Sequence, residues 1–125
     1  IDSARTLYPE GRYHAGPMES LPADWGQFDF VYSSEVFEHL PELHTYVAAL
    51  AARMSKGAIL FITTPDAGHF RVPSDFASWG EVRPPEHIVY FSRKTLTQLL
   101  AMHGLEIVKF EWNFKPGLKA LARKI

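Results

Sequence analysis

Two carboxylates and an imidazole stand close together in the stretch Glu35-Val36-Phe37-Glu38-His39, and a further imidazole, His87, follows later in the chain. If the first stretch takes one helical turn, Glu35, Glu38 and His39 occupy positions i, i+3 and i+4 and share a face. Neighbouring carboxylates repel unless a cation, a proton or a hydrogen-bond donor offsets them. With His87 added, the set offers two oxygen and two nitrogen ligands. Such a set suits Mn²⁺, Zn²⁺ or Fe²⁺, and Mg²⁺ where waters complete its octahedron. Two other readings stand beside the metal. Glu38 and His39 can hydrogen-bond to backbone and to His87, fixing a loop. Alternatively, His39 or His87 can act as a general base, since imidazole titrates near neutrality. His14, His44, His69 and His103 have no such company in the sequence and are expected to be packed or solvated.

Positioning these residues requires strands that end beside them. Phe28-Asp29-Phe30-Val31-Tyr32 and Gly57-Ala58-Ile59-Leu60-Phe61-Ile62 are short apolar runs of the kind buried on both faces of a parallel sheet. Between them Leu43, Tyr46, Val47, Leu50, Ala51 and Met54 recur at helical spacing after Pro41, a residue suited to a first turn. The order strand, helix, strand predicts a right-handed crossover unit. Ser92 is a candidate N-cap for a second helix carrying Leu96, Leu99 and Leu100 and stopping at Gly104. Leu105 to Trp112 reads as a further strand with a shift in its apolar set, and Arg12 to Ala15 as a short opening strand. The expected fold class is α/β, a Rossmann-like, mostly parallel sheet with flanking helices.

Ligands of open sheets of this kind lie beyond the carboxyl ends of the strands. Three clusters fall there: Ser33-Ser34 leading into Glu35 to Pro41, Thr63-Thr64-Pro65-Asp66 leading into a turn-rich segment with Phe70, Phe76, Trp79 and His87, and Gly16-Pro17-Met18-Glu19.

Composition removes other classes of function. The 13 basic and 14 acidic residues leave a net charge of −1 without a Lys/Arg run, so there is no strong nucleic-acid signal. Zero cysteines exclude a disulfide scaffold and a thiolate metal site. No apolar stretch approaches the roughly 20 residues of a membrane span. The expected location is the cytoplasm.

The ordered series Ala4-Arg5, Tyr8-Pro9, Gly16, Glu19, Leu21-Pro22, Phe28 to Val31, Glu35 to His39, Gly57, Thr64-Pro65, Glu86-His87 and Phe91-Ser92, then Leu96 to Gly104, resembles class I S-adenosylmethionine-dependent methyltransferases. It is most similar to the branch near the ubiquinone-biosynthesis O-methyltransferases. The resemblance implies that residues 1–125 are the C-terminal part of one methyltransferase domain. The first strands, the glycine-rich loop and the ribose-binding acid are expected before Ala4. It implies S-adenosylmethionine as cofactor, with Pro17 and Met18 flanking the adenine, the Met18 N–H donating to the ring, and Ser33 and Ser34 facing the methionine portion. Where relatives often carry an acid beside the adenine, this chain has Pro17.

The pattern Glu-x-x-Glu-His with a later His also resembles the metal site of the small-RNA 2′-O-methyltransferases, so the resemblance points to Glu35, Glu38, His39 and His87 as ligands, with His39 and His87 as catalytic groups. The implied reaction is methyl transfer to an oxygen, less readily a nitrogen or carbon, of a small-molecule or glycan-type acceptor. Two other readings compete: a partner-binding pseudoenzyme or inactive fragment, and a nucleotide-dependent oxidoreductase, which the lack of Gly-x-Gly-x-x-Gly disfavours. Missing first strands would leave a sheet edge exposed, which predicts an oligomer or a marginally stable chain.

Overall fold

The computed structural model describes residues 1–125. After a short helix α1 (Asp2–Leu7) and two single-turn 3₁₀ segments, the chain enters strand β1 (Phe28–Ser34), helix α2 (Leu43–Ala52) and strand β2 (Met54–Pro65). Helix α3 (Arg93–Met102), strand β3 (Leu105–Phe110) and strand β4 (Gly117–Lys124) follow. The sheet order is β1-β2-β4-β3. β1 and β2 pair in parallel, as a strand–helix–strand crossover requires. β4 lies between β2 and β3 and runs antiparallel to both. The α/β class therefore holds, with the sheet mixed rather than mostly parallel, because an unforeseen hairpin closes it.

One face of this sheet carries the core. Val47, Leu50 and Ala51 of α2 and Leu96, Leu99 and Leu100 of α3 pack with Ala58, Leu60 and Ile62 of β2 and with Leu118, Ala120 and Ala122 of β4. Ala120 and Ala122 of β4 are fully buried on this face. The opposite face is bare: Phe30 and Tyr32 are mostly exposed, with Tyr32 stacked on Phe61 at 5.4 Å. The outer edge of β1 pairs with no strand.

Helix α3 begins as its sequence predicts. The Ser92 hydroxyl accepts from Thr95 N–H and the Thr95 hydroxyl accepts from Ser92 N–H, a reciprocal cap. It ends at Gly104, whose φ of +70° suits a residue without a Cβ. Two expectations fail. Residues 12–15 form no strand: the Tyr13 hydroxyl lies within hydrogen-bond distance of the Ala4 and Tyr8 carbonyls and His14 Nε2 of the Ser20 hydroxyl, which fold the segment locally. The strand from Leu105 ends at Phe110, short of Trp112. No helix is long and apolar enough to cross a membrane.

Candidate active site

The carboxyl ends of β1 and β2 lie side by side, with Ser34 paired to Thr63. The chain leaves β1 through Glu35, whose φ of +52° is unusual for a residue with a side chain and turns the backbone sharply. The helical turn begins only afterwards, at Phe37–His39. Glu35 is therefore not on a common helical face with Glu38 and His39, contrary to the i, i+3, i+4 expectation. Phe37 is wholly buried and anchors the turn in the core, which directs its neighbour Glu38 inward as well.

Glu38 is a carboxylate at 1% exposure. Its Oε2 accepts from the Thr64 hydroxyl at 2.9 Å, while its Oε1 is buried without a hydrogen-bond partner. That oxygen lies 3.8 Å from His39 Nε2. The Glu38 carbonyl accepts from Ile88 N–H and Val89 N–H, which draws the segment containing His87 onto the turn. The two imidazole rings meet edge to face at 4.8 Å between centroids.

Each imidazole is oriented by a backbone carbonyl. His39 Nδ1–H donates to the Glu86 carbonyl at 2.7 Å, and His87 Nδ1–H donates to the Glu81 carbonyl at 2.8 Å. A carbonyl only accepts, so both neutral rings carry their proton on Nδ1 and present an Nε2 lone pair. Ligand atoms of Glu38, His39 and His87 all lie within 4.8 Å of one another. Two imidazoles beside a buried, unpartnered carboxylate oxygen form a cluster rich in acceptors, which a divalent cation or a donated proton completes. The donor set of two nitrogens and one oxygen suits Mn²⁺, Fe²⁺ or Zn²⁺ and leaves coordination positions free.

Glu35 stands beside this cluster and is not one of its converging ligands. Its Oε1 accepts from the Thr63 hydroxyl at 2.8 Å. That commits the single Thr63 proton, so Ser34, 2.7 Å away, donates to Thr63. Burial raises the Glu35 carboxyl above its ordinary value; the Thr63 hydroxyl opposes the shift, and the Glu38 carboxyl adds to it. Ser33 is buried with its hydroxyl unpartnered on the core side of β1.

Pro17 and Met18 lie across a cavity of about 580 Å³ from Leu40, Pro41 and Tyr46. Leu40 and Pro41 directly follow His39, so cavity and cluster share one short segment. Among the remaining histidines, His44 and His103 are brought together, Nδ1 to Nε2 at 3.1 Å, although they are distant in sequence. The residues that sequence reasoning left without roles are Thr64, the donor to Glu38, and Glu81 and Glu86, whose carbonyls orient the rings. Thr64 was signalled by its place at a strand's end, whereas a backbone carbonyl leaves no mark in a sequence.

A family model described as a methyltransferase domain matches residues 4–109. The chain is 25% identical over 120 residues to C-methyltransferase NovU of Streptomyces niveus, covering 86% of this chain and 27% of that protein. Among solved structures, TnmH superposes on all of this chain and 40% of its own, with a TM-score of 0.76 at 12% identity. Magnesium protoporphyrin IX methyltransferase from Synechocystis PCC 6803, with bound S-adenosylmethionine, has a TM-score of 0.61 at 14% identity over 99% of this chain and 52% of its own. The chain thus spans about a quarter of the curated relative and about half or less of these two structures.

Proposed function

Since the chain belongs to the methyltransferase domain family, we propose that it carries the acceptor side of an S-adenosylmethionine-dependent methyl transfer to an oxygen of a small-molecule or glycan-type acceptor, in the manner of the ubiquinone-pathway O-methyltransferases. The observation that carries this reading is the cluster of Glu38, His39 and His87, ligand atoms within 4.8 Å of one another, with the Glu38 Oε1 buried and unpartnered, at the carboxyl ends of β1 and β2. S-adenosylmethionine bound in a structural neighbour supports the cofactor. The cavity between Pro17-Met18 and Leu40-Pro41-Tyr46 has the size and apolar walls for its adenine.

When bound, S-adenosylmethionine supplies a methyl group on a positively charged sulfur. An acceptor hydroxyl placed against the histidine pair would give its proton to an Nε2 lone pair. Fixing Nδ1–H on the Glu81 and Glu86 carbonyls keeps Nε2 in the accepting form before the acceptor arrives. Alternatively, Glu38, His39 and His87 would hold a divalent cation, with Glu35 beside them, and the imidazole lone pairs would then be committed to the cation, which would replace them as the activator of the acceptor. A bound cation would lower the pKa of acceptor hydroxyls and orient them.

The test uses the full-length protein with S-adenosylmethionine and an acceptor panel, measuring S-adenosylhomocysteine release. His87→Asn is expected to lower kcat about 10²-fold or more, the usual worth of a positioned base. Chelation by EDTA is expected to lower the parent rate and Mn²⁺ to restore it. A rate indifferent to His39→Asn and His87→Asn would remove the cluster from the reaction. A second reading, a partner-binding unit without activity, is favoured by the open edge of β1 beside exposed Phe30 and Tyr32. It predicts no product with any acceptor.

A further inference from the structure

On the other side of the β2 terminus, two chain segments are fastened together. Asp66 N–H donates to the Pro116 carbonyl at 3.2 Å, and His69 Nε2–H donates to the Asn113 carbonyl at 3.0 Å. Between these segments and the start of α3 lies a cavity of about 420 Å³ whose wall includes Asp66, His69, Phe70, Arg93, Lys94 and Trp112.

Its cations are uncommitted. Arg93 and Lys94, with Arg71 and Lys115 close by in sequence, take part in none of the chain's ion pairs. The carboxylate in the wall, Asp66, is buried and accepts from Gly68 N–H at 2.9 Å. Arg93 lies over the Phe110 ring at 5.2 Å and Arg71 over Phe114 at 4.0 Å. Stacking steadies a guanidinium without using its N–H donors. The rings are equally unoccupied: Phe70 is 77% exposed and Trp112 73%. His69 stacks on Phe70 at 4.5 Å, and Trp112 lies 6.0 Å from Phe114. Braced aromatic faces next to unpaired cations match a ligand that joins an anion to a planar ring, with the cations taking the phosphate and the rings taking the base.

We propose that this cavity binds a phosphate joined to a planar ring, as in a nucleotide, and that it anchors the far end of a nucleotide-linked methyl acceptor. The anchoring role rests on the reading of the histidine pair as the transfer centre; the binding does not. Residues 87–92 lead from the cluster to the cavity, and five residues span at most about 17 Å, a distance one nucleotide-linked molecule bridges. A polynucleotide is disfavoured, because the net charge is −1 and only two of the basic side chains, Arg93 and Lys94, line the cavity.

Calorimetry on the full-length protein at low salt tests the site with uridine 5′-monophosphate, uridine and inorganic phosphate. The monophosphate is expected to bind at least tenfold more tightly than either part, and Arg93→Ala and Trp112→Ala each to weaken it about tenfold with unchanged circular dichroism. No binding, or an affinity that neither variant changes, overturns the site. An oligouridylate that gains more than tenfold over the monophosphate overturns the nucleotide assignment in favour of single-stranded RNA. The anchoring role is tested with nucleotide-linked sugars against the same sugars free. Transfer to the linked pool alone supports it, and equal transfer to both or to neither overturns it in favour of a free nucleotide. Repeating the calorimetry in His87→Asn separates the two readings: binding retained with methyl transfer lost leaves both standing, and binding retained with methyl transfer unchanged refutes the transfer centre and leaves the site standing.

Discussion

Replacing Glu38 by glutamine is expected to stabilise the chain and, at the same time, to abolish its response to divalent cations. The Glu38 carboxylate is 1% exposed and only one of its oxygens has a partner. A buried polar atom left unsatisfied costs about 1–3 kcal/mol, and more when charged. Glutamine keeps an oxygen for the Thr64 hydroxyl and turns its amide donors toward the lone-pair side of the imidazoles. The cation-free variant should therefore be more stable by about 1–2 kcal/mol. In the parent, a cation at a hundred times its dissociation constant adds about 2.7 kcal/mol, which for a domain of this size is a rise in Tm of about 10 °C. Calorimetric melting of both proteins with EDTA and with Mn²⁺ reads out both effects. Thr64→Val sharpens the test: it should cost about 1.5–3 kcal/mol against the parent carboxylate, and less in the glutamine background, where the acceptor is neutral. A glutamine variant less stable than the parent in EDTA would refute the reasoning, since it would show that the free oxygen is already satisfied within the protein.

The raised Glu35 carboxyl gives a pH signature. The folded chain holds that proton more tightly than the unfolded chain, so the associated stability is present below the ordinary value of 4.5 and lost as pH rises through the folded value. Glu35→Gln should match the parent in denaturant unfolding near pH 4 and exceed it near neutrality, and a variant weaker at pH 7 would contradict this. Ser92→Ala removes the reciprocal cap of α3 and should cost about 1 kcal/mol in the same assay. Pairing through the open edge of β1 should make the chain sediment above monomer mass, and Phe30→Lys with Tyr32→Lys should return it to monomer; a monomeric parent would dispose of that association.

The elements legible in the sequence were those whose signal is local. The apolar run from Phe28, the periodic stretch after Pro41, and the Ser92 to Gly104 helix with its cap all depend on neighbours within a few residues. Strand β4 was not legible. Its buried positions, Leu118, Ala120 and Ala122, alternate with Lys119, Leu121 and Arg123, and alanine is a poor strand former. Only the space between β2 and β3 makes that segment a strand. The site divides in the same way. The Glu38-His39 pair was visible as a motif, and the approach of His87 followed from resemblance, because spacing cannot show that the Glu38 carbonyl gathers Ile88 and Val89. Glu35 was misplaced because its left-handed backbone delays the helical turn, and a glutamate gives no hint of that conformation.

The position of β4 has a consequence for how the sheet is assembled. β2 and β3 touch only through it, and its Ala120 and Ala122 lie in the middle of the core. The last of the four strands in chain order is thus an inner one. Until residues 117–124 emerge, β1 with β2 and β3 with α3 are two separate halves, each with an unsatisfied backbone edge and half of a buried face. Assembly on the ribosome must therefore wait for this segment, and the nascent chain stays open to wrong pairing and to chaperones until it arrives.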